Sequence, residues 1–171
     1  RSSDSVLSYN ESYKSRRKEI RATWINQIKS DPEKYAKYKQ KNADYIRFKR
    51  NSDYNFKFLS LTRSRICTAI RGYKRVWKTV DLLGCSIDYA INHLTGGDRN
   101  KLNDKHIDHI VPIKYFDLSD PKNQLIAFNW RNLQLLSPSQ NLSKQAIPPK
   151  NSDMIVNNIW REIQVEMGAP V

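Results

Sequence analysis

The residues most able to do chemistry lie in one stretch of the C-terminal half: His106-Ile107-Asp108-His109-Ile110-Val111-Pro112, then Asn132-Leu133-Gln134-Leu135-Leu136, then Asn141-Leu142-Ser143-Lys144. Asp108 can offer a carboxylate oxygen to a hard divalent cation, and the neighbouring His109 can take a proton from water near neutral pH. Together they suit a one-metal site that cuts phosphodiesters. Asn141 lies nine positions after Asn132, room for a short strand, a turn and the first turn of a helix. That is the outline of a β-hairpin–helix finger folded around a metal. An Asp-His pair alone is more often structural; the ordered set of four carries the signal.

The elements that must hold these residues can be read from local pattern. His106–Val111 reads as a strand that Pro112 ends, with His106 and Asp108 on one face. Ser119-Asp120-Pro121 starts a short helix over 121–129, and Leu133–Leu136 forms the second strand. Ser137-Pro138-Ser139-Gln140 combines an N-cap serine, a proline at the first helical position and a capping-box glutamine. Asn141 then sits on the first helical turn, and Lys144 lies three residues on, on nearly the same face. Ile110, Phe116, Leu125, Phe128, Trp130, Leu135 and Leu142 are the expected core. Pro148-Pro149 closes the unit, and 151–167 reads as a final amphipathic helix.

Upstream, residues 1–12 are polar and Ser-rich and are expected to be poorly ordered. A helix follows from Tyr13 to about Lys29, with Ile20, Trp24 and Ile28 spaced by four. Asp31, Pro32 and Glu33 restart a helix as N-cap, first position and dipole-favouring acid. Tyr35, Tyr38, Tyr45 and Phe48 make a stripe read as its packing face, with base stacking as the rival reading. Residues 55–73 read as a basic amphipathic helix stopped near Gly72. Lys74–Lys78 reads as a basic loop, and Thr79–Leu94 as one or two short helices broken near Gly84-Cys85. The run from Gly96 to Asp104 reads as a linker. His93 is expected to be structural.

The string from His106 to Lys144 resembles the HNH endonucleases, the ββα-metal or His-Me finger group, of the phage and mobile-intron type. Weaker likeness extends upstream through "LTRSRICTAIRG" and "DLLGCSIDYAINHL", so that it covers about residues 30 to 150. It implies a catalytic pair, His109 as general base and Asn132 orienting it, with Asp108 and Asn141 as the metal ligands. Oxygen ligands suit Mg2+ or Mn2+, one per site. Water and DNA phosphate would complete the shell, and the cation would stabilise phosphoryl charge and the leaving oxygen. His106 would support the ligands, touch DNA or pack in the core. The third motif position is asparagine rather than histidine. No paired Cys-x-x-Cys motifs brace the finger, so no structural zinc is expected.

Charge points the same way. Residues 1–80 hold 21 Lys+Arg against 7 Asp+Glu, and residues 81–171 hold 9 against 10. The whole excess of the +13 chain therefore lies before the finger, which suggests a polyanion partner gripped by one half and cut by the other. The expected contacts to double-stranded DNA are Arg16, Arg17, Lys41, Arg47, Arg50, Arg63, Arg65, Arg71, Lys74 and Arg75, with Arg131 and Lys144 in the finger. The expected class is α+β: a basic, mainly helical region (1–52 and 53–98), the finger (99–150) and a C-terminal helix (151–171).

Cys67 and Cys85 are too few for a disulfide framework and are expected to be buried thiols in a reducing compartment. No apolar run approaches 18 residues, and the basic N-terminus lacks a signal peptide's apolar stretch, so an intracellular, phage- or mobile-element-encoded protein is expected. Two other readings stand beside the nuclease: a nucleic-acid-binding protein that keeps the finger without cutting, and an HNH toxin, disfavoured by only three histidines. One finger makes one nick; a double-strand break would call for a homodimer or a second visit.

Overall fold

The computed structural model describes residues 3–168, with side chains from residue 12 onward. Two compact units divide between Lys49 and Arg50. The first is built from α1 (Ser3–Lys29) and the greater part of α2 (Pro32–Ser52). Helix α1 begins well before the expected Tyr13 and overtakes most of the stretch read as poorly ordered; residues 1 and 2 lie outside the described ones. The restart at Asp31 forms as its residue types dictate: its carboxylate accepts from the Lys34 backbone N–H at 3.0 Å and Pro32 opens α2. Trp24 meets Tyr38 edge to face at 5.2 Å. The rest of the aromatic stripe is not covered in this way, since Tyr45 and Phe48 are 53% and 66% exposed. The packing-face reading therefore holds for Tyr35 and Tyr38, which are half-buried.

The second unit is α+β. In chain order it contains α3 (Tyr54–Ala69), α4 (Thr79–Leu83), α5 (Ile87–Thr95), α6 (Lys101–Asp104) and β1 (His106–His109). Then come α7 (Pro121–Ala127), β2 (Leu133–Leu136), α8 (Pro138–Lys144) and α9 (Ser152–Glu166). Strands β1 and β2 pair antiparallel, with His106 opposite Leu136 and Asp108 opposite Gln134. Helix α3 runs from its Asp53 cap and turns Phe58, Thr62 and Ile66 inward at four-residue spacing. Phe58 joins Leu83, Ile91, Ile107 and Leu133 in one apolar cluster, while Ile66 joins Val111, Phe128, Ile159 and Ile163 in another. The hairpin is thus buried on one face against α3 and α5.

Several boundaries differ from the expectation. Residues 101–104 of the expected linker form α6, with Leu102 buried beneath it. Helix α3 ends at Ala69, and Gly72 stands beyond it at φ +95°. The break at Gly84 is real: it caps α4 at φ +74°, and a Cβ there would lie 2.6 Å from the Asn129 amide nitrogen. Only glycine fits both demands. Strand β1 stops at His109, although Ile110 N–H still donates to the Asn132 carbonyl at 2.7 Å. Of the expected core, Phe116 and Phe128 are buried, and Leu125, Trp130 and Leu135 pack against it half-buried. Leu142 is 77% exposed, because its turn of α8 points away from the hairpin. Cys67 is also exposed; Cys85 is half-buried, and burial pushes its thiol up to about 11.

Candidate active site

Helix α8 starts where the sequence says it should. Ser137 Oγ accepts from Gln140 N–H at 3.2 Å, and Gln140 Oε1 accepts from Ser137 N–H at 2.9 Å. This capping box fixes the angle at which α8 leaves β2 and lays it against both strands. Asn141 and Lys144 then face β1. Asn141 Nδ2 lies 3.4 Å from His106 Nδ1. Lys144 Nζ lies 3.0 Å from Asp108 Oδ2 and donates to the His109 main-chain oxygen at 2.7 Å. Gln134, directly across the ladder from Asp108, donates to the same carboxylate oxygen at 3.1 Å. His106, Asp108, Gln134, Asn141 and Lys144 therefore share the open face of the hairpin.

His109 does not join them. Successive residues of a strand point to opposite faces, so its ring turns inward, 8% exposed, with its edge toward Phe128 at 6.0 Å between centroids. There it lines a cavity of about 10 Å³ together with Thr62 and Arg65 of α3. Burial lowers the imidazole pKa to about 4; the Asp108 charge pulls it upward, and Arg65 and Lys144 push it down. The ring is thus held neutral, the form a base needs. Arg65 is exposed as a residue, yet it reaches this cavity; desolvation lowers its pKa while Asp108 raises it. Thr62 Oγ1 is buried without a protein partner.

Asn132 is fully buried and is committed to the backbone rather than to the His109 ring. Its Oδ1 accepts from Val111 N–H at 2.9 Å, and its Nδ2 donates to the carbonyls of Val111 at 3.1 Å and Ala127 at 2.9 Å. The expected contact orienting the imidazole is therefore corrected: Asn132 pins the chain two residues past His109, and the ring is set by its strand and by Phe128.

The expected phosphate contacts fall into two groups. Arg16, Arg17, Lys41, Arg47, Arg63, Arg71 and Lys74 are exposed, Arg47 with a partner in Asp44 at 3.4 Å. Arg65 is exposed while lining the His109 cavity, and the others are engaged within the fold. Arg131 stacks over Trp130 at 4.5 Å and pairs with Glu162 at 2.5 Å and Glu166 at 2.6 Å, so it ties α9 to the finger instead of facing a backbone. Arg75 donates to the Trp77 carbonyl at 2.9 Å and Thr79 Oγ1 at 2.8 Å, closing the loop before α4. Arg50 donates to Ser60 Oγ at 2.7 Å. His93, expected to be structural, is exposed and lies edge-on to Trp130 at 4.6 Å.

Sequence reasoning missed Gln134, Thr62 and Arg65 as neighbours of the site. Strand period two would have put His109 opposite Asp108, and the hairpin register would have named Gln134. Nothing local in α3 marks Thr62.

As a ligand set, Asp108 and Asn141 present one carboxylate and one amide. Among the described residues no group of three or more His, Cys, Asp or Glu side chains could hold a metal ion. A carboxylate on β1 and an amide on α8, both half-buried, fit a hard cation whose shell is completed from outside the protein.

No family model matches the chain, and no solved structure matches it. Among curated proteins it is similar to an uncharacterized protein of Acanthamoeba polyphaga mimivirus, 26% identical over 116 residues that cover 63% of this chain and 50% of that protein. The chain thus spans about half the length of the curated relative it matches. No helix among the described residues is long and apolar enough to cross a membrane.

Proposed function

We propose that this chain is a metal-dependent DNA endonuclease of the HNH type, encoded by a virus or mobile element. The observation that carries the reading is the hairpin–helix unit: on its open face the Asp108 carboxylate meets Lys144 of α8, and Asn141 of the same helix meets His106, two residues along the strand. The neutral His109 ring is held by the adjacent strand position. Asp108 and Asn141 would hold one Mg2+ or Mn2+, which when bound supplies charge neutralisation and stabilises the leaving oxygen. Lys144 would bind a phosphate oxygen. His109 would accept a proton from the attacking water once DNA and metal binding bring its ring, turned in the free protein to the opposite face of β1, to the phosphate held at Asp108. Asn132 fixes the backbone that carries His109 into the loop. The exposed cations Arg16, Arg17, Lys41, Arg47, Arg63, Arg71 and Lys74 would hold the duplex backbone.

A second reading has its own support. His109 is 8% exposed and Asp108 is already paired with Lys144, as in a finger that binds nucleic acid without cutting. Supercoiled plasmid decides between them. The endonuclease converts it to nicked circles with Mg2+ or Mn2+ and stops in EDTA. A binder retards the plasmid and leaves it intact in every metal, while full cutting in EDTA would remove the one-metal chemistry.

A further inference from the structure

We infer that Lys144 is the resident counter-cation of the Asp108 site, occupying the metal's place until DNA gives its ammonium another anion. The inference rests on the endonuclease reading and adds a coupling between metal and substrate to it.

Two oxygens from consecutive residues, Asp108 Oδ2 and the His109 main-chain carbonyl, converge on one ammonium at 3.0 and 2.7 Å. Gln134 Nε2 donates to the same two oxygens at 3.1 and 3.4 Å. The arrangement is partly buried, with the Lys144 and Asp108 side chains only 20% and 22% exposed. Lys144 is the last residue of α8, where a cation suits the helix dipole, and Gln145 at φ +51° turns the chain away immediately after it. The position is therefore built by the end of a capped helix and is no chance surface pairing.

An ammonium is a compact point charge bound by oxygen acceptors, the same acceptors that a hard metal takes. A divalent cation and Lys144 cannot both sit on the Asp108 carboxylate without strong repulsion. The metal must expel the lysine, whose carboxylate partner among the described residues is Asp108 itself. A DNA phosphate provides a second anion. Metal binding and DNA binding should then favour each other, as linkage requires, and metal occupancy away from DNA stays low.

The test measures Mn2+ binding to the full chain by the loss of free-Mn2+ EPR signal, with and without a short phosphorothioate duplex that resists cutting. Without DNA, Lys144→Met should bind Mn2+ about tenfold more tightly than wild type, the equilibrium equivalent of one charge-assisted hydrogen bond released. Adding Asp108→Asn should remove that gain. Duplex should tighten Mn2+ binding to wild type much more than to Lys144→Met. Equal or weaker Mn2+ binding by Lys144→Met, with an unchanged far-UV spectrum, overturns the inference. If that variant fails to fold, Lys144→Gln, neutral but still able to donate to the His109 carbonyl, carries the same expectation and the same refutation. Wild-type cutting with unchanged Mn2+ affinity in the variant sinks the Lys144 role alone. Absence of Mn2+ binding by any form, even on duplex, sinks the endonuclease reading with it.

Discussion

Replacing Asn132 by alanine strips three partners from the backbone at once. Val111 loses the acceptor for its N–H and a donor to its carbonyl, and Ala127 loses a donor to its own. Asn132 is completely buried, so water cannot reach these groups without opening the loop. A buried polar group left unmet costs about 1–3 kcal/mol. With partial relaxation the three sum to about 4 kcal/mol, a large fraction of a small domain's usual stability of roughly 5–15 kcal/mol. Urea unfolding followed by tryptophan fluorescence measures it, with an unchanged m-value showing that the midpoint shift is a stability change. Asn132→Asp should be no milder at neutral pH. It keeps the acceptor for Val111 N–H but sets carboxylate oxygen against two carbonyls. If Asn132→Ala loses less than about 1 kcal/mol, the residue is not the brace described. An activity loss at full stability would instead restore a direct role on the His109 ring.

Three further outcomes follow from the same geometry. His109 has a folded pKa near 4 against 6.5 for the free ring, so between those values the unfolded chain binds more protons. Stability should fall as pH drops through that window, by up to about 3 kcal/mol, and should not depend on this group above it; a flat urea midpoint from pH 7 to 4.5 in a His93→Gln, His106→Gln background would refute the burial. Arg131→Met should loosen α9, lowering the melting temperature while leaving the salt dependence of DNA affinity unchanged, and a reduced salt slope would show that it touches phosphate after all. Neutral substitutions at Arg63 and Arg71 should each reduce that slope by about one, and unchanged slopes would remove those residues from the DNA contact.

Local chemistry made much of the framework readable. Asp31 with Pro32, and Ser137 with Pro138 and Gln140, announce two helix starts because caps act within four residues. Helical spacing put Asn141 and Lys144 on one face of α8 and strand alternation put His106 and Asp108 on one face of β1, but Lys144 was expected on DNA phosphate and instead pairs with Asp108. The same alternation sends His109 inward, a consequence that motif order alone conceals. What escaped depends on distant chain. Arg131 is drawn to Glu162 and Glu166 across thirty-odd residues, and Leu142 is exposed because α8 packs through Asn141 and Lys144. Tyr115 is tied to Asp153 in the same way, through the docking of α9. No window of sequence contains those partners.

Chemistry and grip separate most directly in one paired experiment on supercoiled plasmid in Mg2+. Wild type and His109→Ala are compared for nicking rate and, on the same DNA and metal, for affinity. His109→Ala removes the neutral ring while leaving Lys144, Asp108 and every exposed cation in place. Nicking is expected to fall by about 10²–10⁴ with affinity close to wild type. Equal nicking by the variant, or no nicking by the wild-type chain in any divalent metal, would contradict a phosphodiester-cutting site built on Asp108 and His109.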